Sequence, residues 1–184
     1  MKKKVILVGA STGGPTLIKK MLAQITKLDT TVIVAQHMRE EVLPFFIKDI
    51  KESLNFDVKS TPTMLSVSHS EIIICSHSSV LQKNNGLYEI VTQIDNQHYT
   101  PDINKLFNSF VNHSNDFDIK ILIMTGIGRD GVDGAINLKQ KGATIIAQDE
   151  SSSPVYGMPK ATLESGIVDE VKTFDEIKEY FKAL

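Results

Sequence analysis

The sequence predicts a doubly wound α/β fold: a mostly parallel sheet with helices on both faces and an antiparallel hairpin excursion near residues 77–93. Three observations carry that expectation. Residues 4–8, 31–36 and 119–124 are apolar runs of the kind found in strands covered on both faces. Segments with apolar residues at helical spacing come after them. The alternation lapses only once, where two strand-like runs flank Asn84-Asn85-Gly86, a tight-turn signal.

Each element has its own warrant. After the first strand, Pro15 suits an opening helical turn, and Ile18, Met21, Leu22 and Ile25 share one face. The run Thr31–Gln36 is the second strand, and Val42, Phe45, Phe46 and Ile50 form the face of the next helix, with Pro44 near its start. Glu71–Cys75 reads as a short strand, and Ser78–Lys83 with Leu87–Thr92 as the hairpin. Pro101 is expected to open a helix whose face is Ile103, Leu106, Phe107, Phe110 and Val111, before the buried strand Ile119–Met124. Helix 131–140, strand 143–147, short helix 158–164 and strand 167–171 come next. Thr173-x-x-Glu176 is a capping box for a last helix whose core face is Ile177, Tyr180 and Phe181. With no linker or internal repeat, residues 1–184 are expected to form a single domain.

Composition narrows the classes of function. Twenty basic and 22 acidic residues leave a formal charge of −2 and a pI near 6.2, which argues against sequence-independent nucleic-acid binding. One cysteine, Cys75, excludes an intramolecular disulfide framework and a multi-cysteine metal site, and favours a reducing compartment. The apolar run after Lys2-Lys3-Lys4 is shorter than a signal peptide core, and no apolar stretch approaches the ~18 residues of a membrane span. The expectation is a cytoplasmic protein that does not insert into membranes.

In a parallel sheet, ligands and reacting groups gather just beyond the carboxyl ends of the strands. The first such turn, Gly9-Ala10-Ser11-Thr12-Gly13-Gly14-Pro15, contains G-x-S-x-G, a sharp strand-to-helix turn that presents a serine. Serine is a weak nucleophile without a base. The competing reading is a glycine-rich phosphate-binding turn, although the segment matches neither G-x-G-x-x-G nor the P-loop pattern. His37 falls just after the second strand and is the candidate base; the competing reading is a structural or surface histidine. His69, His77, His98 and His113 lie in polar or loop contexts. Asp130, within Thr125-Gly126-Ile127-Gly128-Arg129-Asp130-Gly131, could orient the base or merely cap the next helix. Asp133 and Asp149 are rival acids. The joint placement of Ser11, His37 and Asp130 at three strand ends favours hydrolytic serine chemistry, in a chain order unlike that of ordinary α/β-hydrolases. The only two arginines, Arg39 and Arg129, stand near the proposed base and acid and are expected to attract an acidic substrate.

These residues bring the chain close to a known family. Gly9–Pro15, Gln36-His37-Met38, Pro101–Phe107 with the preceding Tyr-Thr, Thr125–Gly131 and Tyr156-Gly157-Met158-Pro159, spaced over nearly the whole chain, resemble the catalytic domain of the bacterial chemotaxis protein-glutamate methylesterases, the CheB family. The resemblance implies Ser11 as nucleophile, His37 as base, Asp130 as orienting acid, the amides of Thr12 and Ile127 as oxyanion donors, and Met158 as a substrate contact. It further implies hydrolysis of glutamate γ-methyl esters on the signalling helices of methyl-accepting chemoreceptors, glutamine deamidation as a side activity, and no metal or organic cofactor. The alternative is a non-catalytic nucleotide-binding or sensory module. Two departures stand out. Ile73-Ile74-Cys75-Ser76-His77 replaces the I-A-P-G-like segment usual in the family. The chain also opens directly on the first strand, where the family usually carries a receiver domain; a regulator acting in trans is the expected route to control.

Overall fold

A computed structural model describes residues 2–66, 68–94 and 100–184; His98 and Tyr99 lie outside the described residues. Seven strands form one sheet: β1 (Lys3–Ala10), β2 (Thr31–Gln36), β3 (Val58–Ser60), β5 (Ile72–Ile74), β8 (Phe117–Ile123), β9 (Thr144–Gln148) and β10 (Glu170–Lys172). Their order is β10-β9-β8-β1-β2-β5-β3, and every pairing is parallel. β1 is central, buried from Val5 to Ala10, and its alternate side chains feed two cores. Ile6 and Val8 face helices α1 (Gly14–Leu22), α2 (Leu43–Ser53) and α6 (Phe174–Lys182). Val5 and Leu7 face α3 (Ile103–Ser109), α4 (Val132–Lys139) and α5 (Gly157–Glu164). Among the described residues, no helix is long and apolar enough to cross a membrane.

The excursion is larger than a hairpin. β6 (Ser79–Asn84) and β7 (Leu87–Thr92) pair as expected around Asn85 and Gly86, at φ 51° and 81°, the left-handed values of a tight two-residue turn. A third strand, β4 (Thr63–Leu65), pairs antiparallel with the far side of β7. Leu65, Leu81, Tyr88 and Ile90 of this small sheet pack into the same core as α3.

Several expected details shift. Phe45 is 73% exposed and Val42 38% exposed, because the buried face of α2 is Leu43, Phe46, Ile47 and Ile50, and Phe45 projects from the other side. α3 starts later than Pro101 would set it: Asp102 is its N-cap and accepts from the Lys105 amide at 2.7 Å. Phe110 is buried, but beyond the last turn of α3. The strand expected at 167–171 is β10, reached after Ile167 and Val168 have packed against the core. The capping box at Thr173 and Glu176 is present.

Candidate active site

The carboxyl ends of β2, β1 and β8 lie side by side and bring three loops together. Beyond Ala10 the ladder continues: the Ser11 amide donates to Thr125 O at 2.9 Å, and the His37 amide to Ala10 O at 2.8 Å. Ser11 then turns sharply. Its carbonyl accepts from the Gly14 amide at 2.8 Å, and Gly13 has φ 83°, as the third residue of a type II turn requires. Ser11 is only 9% exposed, less than a nucleophile elbow suggests.

His37 and Asp130 meet across β1. The His37 Nε2 lies 2.6 Å from Asp130 Oδ2, with the imidazole side chain 11% exposed. Asp130 is itself fixed by main chain: Oδ2 accepts from the Ile103 amide at 2.8 Å, and Oδ1 from the Asn104 and Gly131 amides at 2.9 and 2.8 Å. Burial would raise its pKa, but the hydrogen bonds with His37, Ile103 and Asn104 outweigh that and hold the carboxyl below the ordinary carboxylate value. It is an acceptor, so the shared proton belongs to Nε2, and a neutral ring then carries its lone pair on Nδ1.

The loop after β8 closes the other side. Gly126 donates to Val155 O at 2.9 Å, and its carbonyl accepts from the Gly157 and Met158 amides at 3.0 and 2.8 Å. A Cβ at Gly126 would fall 2.3 Å from the Met158 sulfur and 2.7 Å from Ser11 Cβ, so glycine is required for these three to pack together. Among the described residues, the Thr12 and Ile127 amides donate to no protein oxygen. Ile127 itself is 67% exposed.

The remaining candidates fare differently. Asp133 pairs with Arg129 on the exposed face of α4, at 3.0 Å. Asp149 is occupied by the hydroxyls of Ser151 and Ser152. Met158 has no exposed surface, and its sulfur lies against Gly126, beside the Ser11 turn. Arg39 is exposed beside the site. His69 faces Glu71 at 3.3 Å, His77 faces Glu40 at 3.3 Å, and His113 stacks edge-on to Tyr88. Cys75 is buried, which pushes its thiol up to about 12. Among the described residues, no group of three or more His, Cys, Asp or Glu side chains is placed to hold a metal ion.

Sequence reasoning missed what lies behind Asp130. The Asp102 amide donates to Ser78 Oγ at 2.9 Å, and the Ser78 amide to Thr100 Oγ1 at 3.1 Å. The segment that departs from the family pattern thus runs into Ser78, which anchors the start of α3, whose first amides hold Asp130. Only the Pro-Asp pair before α3, a cap signal, hinted at this.

Comparison with known proteins places the chain in a family. The chain is 32% identical over 178 residues to a protein-glutamate methylesterase/protein-glutamine glutaminase of Sulfurimonas denitrificans, covering 95% of this chain and 50% of that one. It is 31% identical to a probable protein-glutamate methylesterase of Borreliella burgdorferi, covering 100% and 50%. The chain therefore spans about half the length of the curated relatives it matches. The crystal structure of the Thermotoga maritima CheB methylesterase catalytic domain superposes with a TM-score of 0.84 at 21% identity, covering 100% of this chain and 99% of that one, and so shares its fold. A family model described as CheB methylesterase matches residues 6–181, nearly the full chain. The chain belongs to the CheB methylesterase family.

Proposed function

We propose that this chain is a serine hydrolase that removes methyl groups from glutamate γ-methyl esters of methyl-accepting chemoreceptors, with a Ser11-His37-Asp130 triad. The observation that carries the reading is the 2.6 Å His37–Asp130 contact at the strand end beside Ser11. Relatives named protein-glutamate methylesterase/protein-glutamine glutaminase support the substrate class. His37 Nδ1 takes the Ser11 proton as Oγ attacks the ester carbonyl, and Asp130, remaining ionised, stabilises the imidazolium. The amides of Thr12 and Ile127 hold the oxyanion. The C–O bond to the methoxy group breaks as His37 returns the proton, so methanol leaves and Ser11 is acylated. Water, deprotonated by His37, then frees the glutamate carboxylate and restores the serine. Glutamine deamidation takes the same path with ammonia leaving.

The partners in this reading are receptor signalling helices, the compartment is the cytoplasm, and residues 1–184 act as one catalytic domain. Receptor carrying labelled methyl groups should release labelled methanol on incubation with the protein, and a serine-directed fluorophosphonate should label Ser11. No release and no labelling, with stabilisation by nucleotide instead, would favour a binding module.

A further inference from the structure

Gln36, the last residue of β2, is 1% exposed and sits between the proposed nucleophile and base. Its Nε2 donates to Ser11 O at 2.8 Å and to His37 O at 2.7 Å. Both protons of one amide group are therefore spent on the main-chain carbonyls of these two residues. The other end of the side chain is left without compensation: Oε1 is buried with no hydrogen-bond partner among the described residues. That oxygen lies against Gly14, where a Cβ would come within 2.0 Å of it, so the turn accommodates Gln36 only because position 14 is glycine. Gln148, at the end of β9, makes a useful contrast. It is equally buried, yet its Oε1 accepts from the Thr125 amide at 3.0 Å and its Nε2 donates to Ser152 O at 2.8 Å. A glutamine that served only to fill the strand end would be expected to satisfy both ends in this way, because an orphaned buried carbonyl is unfavourable.

We propose that Gln36 is a positioning residue: by tying the Ser11 and His37 carbonyls to one side-chain nitrogen, it fixes the separation of nucleophile and base. It touches neither substrate nor reacting atoms. The proposal rests on the Ser11–His37 reading above. The orientation of the amide is set by chemistry, since the reverse assignment would place Oε1 against two carbonyl oxygens.

The test compares Gln36→Met, which keeps length and removes the donors, with Gln36→Glu, which sets an acceptor against two acceptors. Both are assayed for methanol release from methyl-labelled receptor and for inactivation by a serine-directed fluorophosphonate, at a temperature where circular dichroism shows folded protein. Gln36→Met should lower kcat by about 10–100-fold with KM nearly unchanged, and slow fluorophosphonate labelling by the same factor, because a displacement of about 1 Å in a reacting pair costs on that order. Gln36→Glu should be slower still. A purely structural role would lower the melting temperature and leave both rates intact. If Gln36→Met does not fold, Gln36→Asn, whose amide is too short to reach both carbonyls, is judged by the same criterion. Wild-type kcat and labelling rates in the folded variant would overturn the proposal. The control is Ser11→Ala: loss of labelling there keeps the Ser11 reading standing whatever Gln36 does, and retained labelling and turnover there would sink that reading itself.

Discussion

At the amino edge of the sheet, a cavity of about 520 Å³ is lined by Lys2, Lys3, Lys4 and Lys83 together with Asp29 and Asp116. Two of its pairs are side chain to side chain, Lys4 with Asp29 at 2.9 Å and Lys83 with Asp116 at 3.4 Å, with these four residues between 41% and 52% exposed, while Lys2 and Lys3 donate to the carbonyls of Ser114 and His69 at 3.4 and 2.7 Å. At the carboxyl edge, by contrast, Asp130 and Gln36 are locked to main-chain amides and carbonyls, and the His37 side chain is 11% exposed. The lysine-rich edge is the less constrained one. Pairs of long exposed side chains lose little when they separate, whereas groups held by backbone keep their geometry at no further cost when a substrate arrives. Chemistry belongs at the tied edge, and substitutions should separate the two.

The largest effect is expected for His37→Ala, which should lower ester hydrolysis by at least about 10³-fold. Because the ring is mostly buried and bonded to a carboxylate, the variant should also lose about 1–3 kcal/mol of stability, read by denaturant unfolding. Asp130→Asn should cost about 10²–10³-fold, since the amide can no longer both accept from Nε2 and stabilise the imidazolium.

Asp130→Asn also sharpens the comparison through pH. A depressed folded pKa contributes stability that is present above the unfolded carboxylate value, about 3.9, and is lost as pH falls through the lower folded value. The stability gap between wild type and Asp130→Asn should therefore close below about pH 4. Asp29 is lowered too, chiefly by its hydrogen bond with Lys4, but it is exposed, so its share should fade in high salt while that of Asp130 persists.

Glycine substitutions sharpen it in another way. A Cβ at Gly157 would fall 2.6 Å from Gly126 O and 3.1 Å from Gly128 N, both backbone atoms that cannot step aside. Gly157→Ala should reduce kcat by about 10–100-fold through displacement of the 126–128 loop. Gly142→Ala meets nothing within 4 Å, and its φ of 91° costs stability while leaving turnover intact. Smaller still, Arg39→Ala should raise KM for receptor about threefold at low salt and less at high salt. Arg129→Ala should do less, as that guanidinium is already paired with Asp133. Lys4→Ala, at the amino edge, should change neither kcat nor KM; a fall in kcat there would break the comparison.

Legibility in the sequence depended on the length of the signal. β1, β2 and β8 announced themselves through their long apolar runs, and Ser11, His37 and Asp130 stood out because each lies just past the carboxyl end of one of these strands. β3 and β4 are three residues long and mix polar with apolar residues, Val58-Lys59-Ser60 and Thr63-Met64-Leu65, whereas the equally short β5 is the all-apolar Ile72–Ile74 and so was legible. Phe45 misled because an apolar residue at approximate helical spacing looks like core until the helix phase is known. The amides of Ile103 and Asn104 that hold Asp130 come from residues 27 and 26 positions away, and a glutamine at a strand end belongs to no motif, so tertiary geometry alone reveals either.

The central claim is that Ser11 and His37 act as one unit at the tied edge. It is tested most directly by a double-mutant cycle on methanol release from methyl-labelled receptor, using Ser11→Ala, His37→Ala and the pair. Each single variant should lose at least about 10³-fold, and the double should be no more than about threefold worse than either. A Ser11→Ala variant that kept a tenth of wild-type turnover, or a double variant whose loss was the product of the two single losses, would contradict the account.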